Sequence, residues 1–178
     1  SFYQRKEIKD LMGYLRYAMN TDDEQSFRRI INLPKRGIGT SSVEKIVVAA
    51  FEHDIPLWEV LTNVASFLPG RAANAVQEFV TLIKSFKIYV DTKDAYEAAS
   101  HIAKNSGLLK ELYEDKTVEG LNRYENVQEL LNAIKEFVDT PDIEDNSLTA
   151  FLQDIALLTD SDKDDSDNND YVSLMTIH

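Results

Sequence analysis

Apolar residues recur every three or four positions along most of the chain, the spacing that places them on one face of an α-helix. The stripe is clearest in residues 72–90, where Val76, Val80 and Ile83 share a face. In residues 117–138 it includes Leu121. The same periodicity recurs in residues 5–19, 22–31, 41–51, 95–104 and 147–158. The pattern predicts an all-α fold.

Two segments depart from this periodicity. Residues 160–170 are polar and acidic, which predicts a mobile loop. Residues 171–178 alternate and are rich in β-formers, which predicts one strand. A lone strand leaves its backbone groups without partners, so we expect it to belong to a sheet outside this chain. The predicted organisation is a helical domain over residues 1–170 and a strand over residues 171–178.

The most informative turn lies in residues 33–44, where two glycines flank Ile38. Glycine lets a backbone turn tightly and approach a ligand closely. Ser41 and Glu44 have capping-box spacing, which predicts a helix beginning just after Gly39. A helix N-terminus offers unpaired N–H groups and a positive dipole end to an anion.

Two interpretations of this turn remain open. Lys35 and Arg36 precede the glycines and add charge for a phosphate, as in a helix-hairpin-helix that grips the DNA backbone without reading bases. The alternative is a glycine-containing connector that binds nothing, because short glycine motifs often occur by chance.

The charged residues are unevenly distributed along the chain. The chain of 178 residues has a net charge of −12, which argues against a protein that coats nucleic acid generally. From Asp142 onward the only cation is Lys163. A basic first quarter therefore indicates a localised DNA contact, unless both ends are merely solvated helix faces. The cations of the first quarter are Arg5, Lys6, Lys9, Arg16, Arg28, Arg29, Lys35, Arg36 and Lys45.

Composition also excludes several classes of site. The chain has no cysteine, and its histidines, His53, His101 and His178, are far apart, so no metal site is expected. No run of eighteen apolar residues is present, so no membrane span is expected.

Several segments carry a resemblance to a known family. Residues 2–16, 29–39, 123–126, 147–152 and 172–178 resemble, in this order, the C-terminal half of UvrD/PcrA/Rep-type superfamily 1 DNA helicases. The resemblance covers essentially the whole chain. It implies the 2B subdomain, an all-helical insertion in the second RecA-like motor domain, ending in a strand that re-enters the missing 2A domain. In that family the subdomain swivels, contacts duplex DNA and regulates unwinding by a motor that moves 3′ to 5′.

The resemblance also implies the DNA-binding residues. The turn and the residues after it match the family's duplex-contacting hairpin, and the last residues match the start of motif V, which touches single-stranded DNA. The expected DNA-binding residues are Lys35, Arg36, Gly37, Ile38, Gly39, Thr40, Ser41, Ser42, Lys45, Thr176 and His178.

Departures from the family limit what this chain does alone. It contains no P-loop and no Walker B acidic pair, and the match to motif V stops at His178. We therefore expect no catalytic residue and no cofactor in this fragment, whereas ATP and Mg²⁺ belong to the parent DNA helicase. The fragment alone should be inactive as an ATPase.

Two function classes remain at this stage. The first is the regulatory subdomain of a cytoplasmic helicase in replication or repair, with duplex or junction DNA, the missing 1A, 1B and 2A domains and repair or replication proteins as partners. The second is a helical protein-interaction module that docks a basic partner without touching DNA.

Overall fold

Helices form every regular element longer than a single turn in the described part of the chain. The computed structural model describes the backbone of residues 1–167 and the side chains of residues 1–160. The all-α prediction is confirmed, and no strand occurs among the described residues. The helices are α1 (Lys6–Met19), α2 (Glu24–Ile30), α3 (Thr40–His53), α4 (Leu57–Thr62), α5 (Gly70–Thr92), α6 (Ala95–Asn105), α7 (Leu108–Glu114), α8 (Val118–Val138) and α9 (Leu148–Asp167).

Short polar side chains cap several of these helices at their N-termini. The carboxylate of Asp23 accepts a hydrogen bond from the amide of Ser26 at 3.1 Å and so caps α2. Asp94 caps α6 in the same way. Thr117 caps α8 by accepting from the amide of Gly120 at 3.0 Å. Each cap satisfies one amide that the first helical turn leaves unpaired.

The acidic segment differs from its prediction as a loop. Helix α9 continues through this segment as far as Asp167. Leu148 and Phe151 pack in the core and fix the first turns of α9. Neither glycine nor proline follows before residue 167, so the helix propagates at little cost once it has started. The predicted strand over residues 171–178 lies outside the described residues.

Helix α1 is the centre of the core. Ten of its fourteen residues are buried, and it contacts α2, α5, α6, α8 and α9. Gly13 allows the close approach of α2, because a Cβ there would stand 3.0 Å from a methyl group of Ile30. No helix among the described residues has the length and apolar character needed to cross a membrane.

A polar bridge ties α8 to the beginning of α1. The side-chain amide of Asn126 donates to the carboxylate of Glu7 at 2.9 Å, and its oxygen accepts from the guanidinium of Arg5 at 2.8 Å. The bridge gives a structural role to Asn126, which lies in one of the segments that carry the family resemblance.

Two buried hydroxyls, those of Ser100 and Tyr17, lack a hydrogen-bond partner among the described residues, and Tyr17 lies in the core. The side chain is fully buried among the rings of Phe27, Trp58 and Phe79. Its hydroxyl has no hydrogen-bond partner among the described residues. Burial, with the nearby charges of Asp22 and Asp23, raises the pKa of Tyr17.

We expect Tyr17→Phe to stabilise the domain by about 1 kcal/mol at neutral pH, because it removes a buried polar group without a partner. The pKa of Tyr17 is higher in the folded than in the unfolded state. The wild type therefore loses stability as pH rises above about 10, where the unfolded tyrosine releases its proton and the folded one keeps it, and the phenylalanine variant has no such loss. Urea denaturation at pH 7 and pH 11 should show a larger advantage for the variant at pH 11. Destabilisation at both pH values would contradict this prediction.

Candidate nucleic-acid interface

The side chain of Asn32 organises the turn between α2 and α3. Its amide oxygen accepts hydrogen bonds from the backbone amides of Arg36 at 2.6 Å and Ile38 at 3.2 Å. Gly37 lies between these two donors with a φ of 76°, a conformation that side chains rarely adopt. The peptide bond between Leu33 and Pro34 is cis. The chain therefore folds around one amide group.

Ile38 fixes this turn to the core and leaves its glycines at the surface. The Ile38 side chain is 1% exposed, whereas Gly37 and Gly39 are both exposed. A Cβ added at either glycine would meet nothing within 4 Å. Gly39 has a φ of −80°, which any residue adopts, so the backbone does not require a glycine there. The open space beside Gly39 is accessible to a ligand.

Helix α3 begins at Thr40, as predicted, but not through the predicted capping box. Gly39 is the N-cap, and no side chain caps the helix. Ser41 already lies inside the first turn, so it cannot take the extended conformation that an N-cap requires. Glu44 instead forms an ion pair with Arg28. Hydrogen bonding to this guanidinium holds the pKa of Glu44 below its usual range.

The missing cap leaves backbone donors available at the end of α3. The first amide of helix α3 to find an acceptor is that of Val43, which donates to the carbonyl of Gly39 at 3.1 Å. The amides of Thr40, Ser41 and Ser42 have no acceptor among the described residues. They lie at the positive end of the helix dipole, so the arrangement is chemically suited to an anion.

The two basic residues before the glycines have different environments. Lys35 is exposed and has no acidic partner among the described residues. Lys45, one turn into α3, is exposed in the same way. Arg36 points inward and is half-buried. Lys35 and Lys45 therefore lie within five residues of the open amides along the chain, and neither has an acidic partner among the described residues.

The guanidinium of Arg36 closes the end of α2. One of its nitrogens donates to the carbonyl oxygens of Ile30 at 2.9 Å, Ile31 at 3.2 Å and Leu33 at 3.3 Å. The other donates to the hydroxyl of Tyr14 at 2.5 Å. The group also lies over the ring of Phe79, 5.2 Å from its centroid. A cation is favourable here because the last carbonyls of a helix carry partial negative charge.

Three of the other six cations of the first quarter form ion pairs within the fold. Arg29 and Lys6 pair with the buried carboxylate of Asp10 at 2.9 and 2.7 Å. Arg28 pairs with Glu24 as well as with Glu44. The basic character of this quarter is therefore narrower than its composition indicates. The predicted DNA-binding residues Thr176 and His178 lie outside the described residues.

Comparison with known proteins agrees with the family resemblance of the sequence. The UvrD-like helicase C-terminal domain family matches residues 1–178. The ATP-dependent DNA helicase PcrA of Staphylococcus aureus (strain Mu50 / ATCC 700699) is 38% identical over 180 residues, covering 99% of this chain. The ATP-dependent DNA helicase PcrA of Staphylococcus epidermidis (strain ATCC 12228 / FDA PCI 1200) is 36% identical over 180 residues, which also cover 99% of this chain. The chain spans 24% of the length of each relative.

Proposed function

The chain belongs to the UvrD-like helicase C-terminal domain family, and from this premise we propose that it is the duplex-contacting helical subdomain of an ATP-dependent 3′–5′ DNA helicase. Residues 1–170 would form this 2B-like subdomain, and residues 171–178 would return to the 2A domain, where Thr176 and His178 meet single-stranded DNA. The parent protein would use ATP and Mg²⁺ in cytoplasmic DNA replication or repair. Its 1A, 1B and 2A domains and other repair proteins would be partners.

The observation that carries the proposal is the uncapped N-terminus of α3 beside an exposed glycine. A phosphate oxygen placed there can accept from the amides of Thr40, Ser41 and Ser42. The absent side chain at Gly39 lets the DNA backbone approach, and Lys35 and Lys45 add charge. Gly37 and Ile38 shape the turn, and Arg36 positions it. Because only phosphates are held, binding should not depend on base sequence.

We expect Lys35→Ala combined with Lys45→Ala to weaken duplex binding several-fold at low salt. Each phosphate contact contributes about −0.9 to the slope of log K against log salt, so the slope should become shallower by about one or two units. The measurement is fluorescence anisotropy on duplex and single-stranded oligonucleotides across a salt series. Lys84→Ala combined with Lys110→Ala is the matched control, because both of these lysines are exposed and lie elsewhere.

Gly39→Val tests the close approach independently of charge. It should weaken duplex binding while helical content stays at the wild-type level, because the added side chain meets no protein atom within 4 Å at its Cβ. If Gly39→Val and the lysine pair both bind duplex as the control does at every salt concentration, the turn is a connector. The alternative, an interaction module for a basic partner, would then explain the acidic chain better.

A further inference from the structure

An apolar groove lies along the second half of α3, away from the turn. It has a volume of about 530 Å³ and opens to solvent between α3, the beginning of α2 and the residues that lead into α4. Its floor and walls are apolar: Val47, Val48, Ala50, Phe51, Ile55 and Leu57.

Phe51 is the most prominent side chain of this groove. It is 86% exposed, and Val48, one turn earlier on the same helix face, is 46% exposed. An isolated exposed apolar residue is ordinary, but a contiguous apolar surface with a large exposed aromatic is typical of an interaction site. An aromatic side chain of this kind can bury much of its area against a partner and anchor it.

The rim of the groove is negatively charged. Asp22 and Glu24 line it, and Glu52 and Asp54 are exposed beside Phe51. Two cations lie close to this rim: Arg28 pairs with Glu24 and Glu44, and Lys45 is exposed one turn before Val48. A segment that enters the groove therefore meets an apolar floor and a negative rim, which select apolar anchors flanked by positive charge.

We propose that this groove docks an amphipathic segment of another protein, with apolar side chains against Phe51 and lysines or arginines along its edges. A second copy of this chain fits the groove poorly, because pairing two such grooves would bring together two acidic rims on proteins of net charge −12. The inference does not depend on DNA binding at the turn. From Thr40 to Phe51 the rise along α3 is about 16 Å, which separates the open amides from Phe51, while Lys45 lies one turn before Val48.

The test uses the whole chain and two synthetic 14-residue peptides. Both carry leucines at helical positions i, i+3, i+4 and i+7; one has lysines at the remaining positions and the other has glutamates. We expect the lysine peptide to shift the amide NMR signals of Val48, Phe51 and Ile55. The glutamate peptide should bind at least about tenfold more weakly.

Two variants locate the contact. Phe51→Ser should raise the Kd of the lysine peptide about tenfold, and because the side chain is exposed the fold should not suffer. Asp22→Asn should raise it by a smaller factor without altering the apolar surface. Leu157→Ser is the control, since this leucine is 70% exposed on α9 and lies near Asp154 and Asp160.

Three outcomes would overturn the proposal. The first is peptide-induced shifts that map to α9 and vanish in Leu157→Ser. The second is equal binding of the two peptides. The third is a concentration-dependent dimer of the wild type in sedimentation equilibrium that Phe51→Ser abolishes, which would assign the groove to a second copy. None of these outcomes bears on the DNA titration.

Discussion

Replacement of Arg36 by alanine is expected to lower the free energy of unfolding by about 3 kcal/mol. The substitution removes four hydrogen bonds that leave from one guanidinium. It also exposes the ring face of Phe79 that the guanidinium covers. The carbonyl of Leu33 would keep the Tyr14 hydroxyl as a donor and that of Ile30 the amide of Leu33, whereas that of Ile31 would depend on water entering the half-buried site. Bonds to a charged group contribute about 1.5–3 kcal/mol each, and water offsets part of the loss.

Urea denaturation followed by circular dichroism measures this change. Lys35→Ala is the matched control, because the neighbouring side chain is exposed and should change stability by no more than about 0.5 kcal/mol. Arg36→Lys should recover little, since one ammonium cannot reproduce a planar fork of donors. A stable Arg36→Ala variant that has lost DNA binding would contradict the inward role and place the guanidinium on DNA.

Gly120→Ala should have a comparable effect, a loss of about 2–4 kcal/mol. Gly120 lies in the first turn of α8, directly over Asp115. A Cβ there would stand 2.3 Å from the carboxylate carbon of Asp115 and 2.5 Å from its backbone oxygen. Backbone cannot move aside cheaply, and the amide of Gly120 must also stay in place for the Thr117 cap. The clash therefore destabilises both the first turn of α8 and the segment around Asp115 that precedes it.

Gly70→Ala is the matched control for this substitution. Gly70 is also in the first turn of a long helix, but a Cβ there meets nothing within 4 Å. Alanine should be neutral or stabilising by up to about 1 kcal/mol, because it reduces the freedom of the unfolded chain. Thermal unfolding of both variants gives the comparison. Equal melting temperatures for the two variants would show that Asp115 yields to the added methyl group.

Local signals in the sequence predict most of the fold. The period of the apolar residues identifies the helices, and Asp23, a residue type that N-caps favour, caps α2. Leu121 shows the limit of periodicity. It continues the stripe of α8, yet it is 56% exposed because the helix begins beyond the core. The extent of α9 escapes prediction for a related reason, since polar composition does not end a helix that packing has already nucleated.

The candidate site is less predictable because its geometry depends on distant residues. Lys35 and Arg36 are adjacent and chemically alike, yet only Arg36 turns inward. The direction is set by Tyr14, 22 residues earlier, and by Phe79, much later in the chain. Likewise, Arg28 forms an ion pair with Glu44 of another helix. The two charges offset each other, although the sequence alone counts Arg28 among the cations of the first quarter. By contrast, the sequence around Gly37 and Gly39 predicts where α3 begins and that the two glycines lie in a turn.

The central place of α1 has a consequence during biosynthesis. Within this chain α1 is made before the helices that it contacts, and 119 residues separate Glu7 from its partner Asn126. At about 5–20 residues per second, roughly 6–24 s pass before that partner exists. During this interval α2, α5 and α6 can pack against α1 as they are made, whereas its contacts with α8 and α9 are still missing. The core of the domain is therefore complete only after α8 and α9 have left the ribosome.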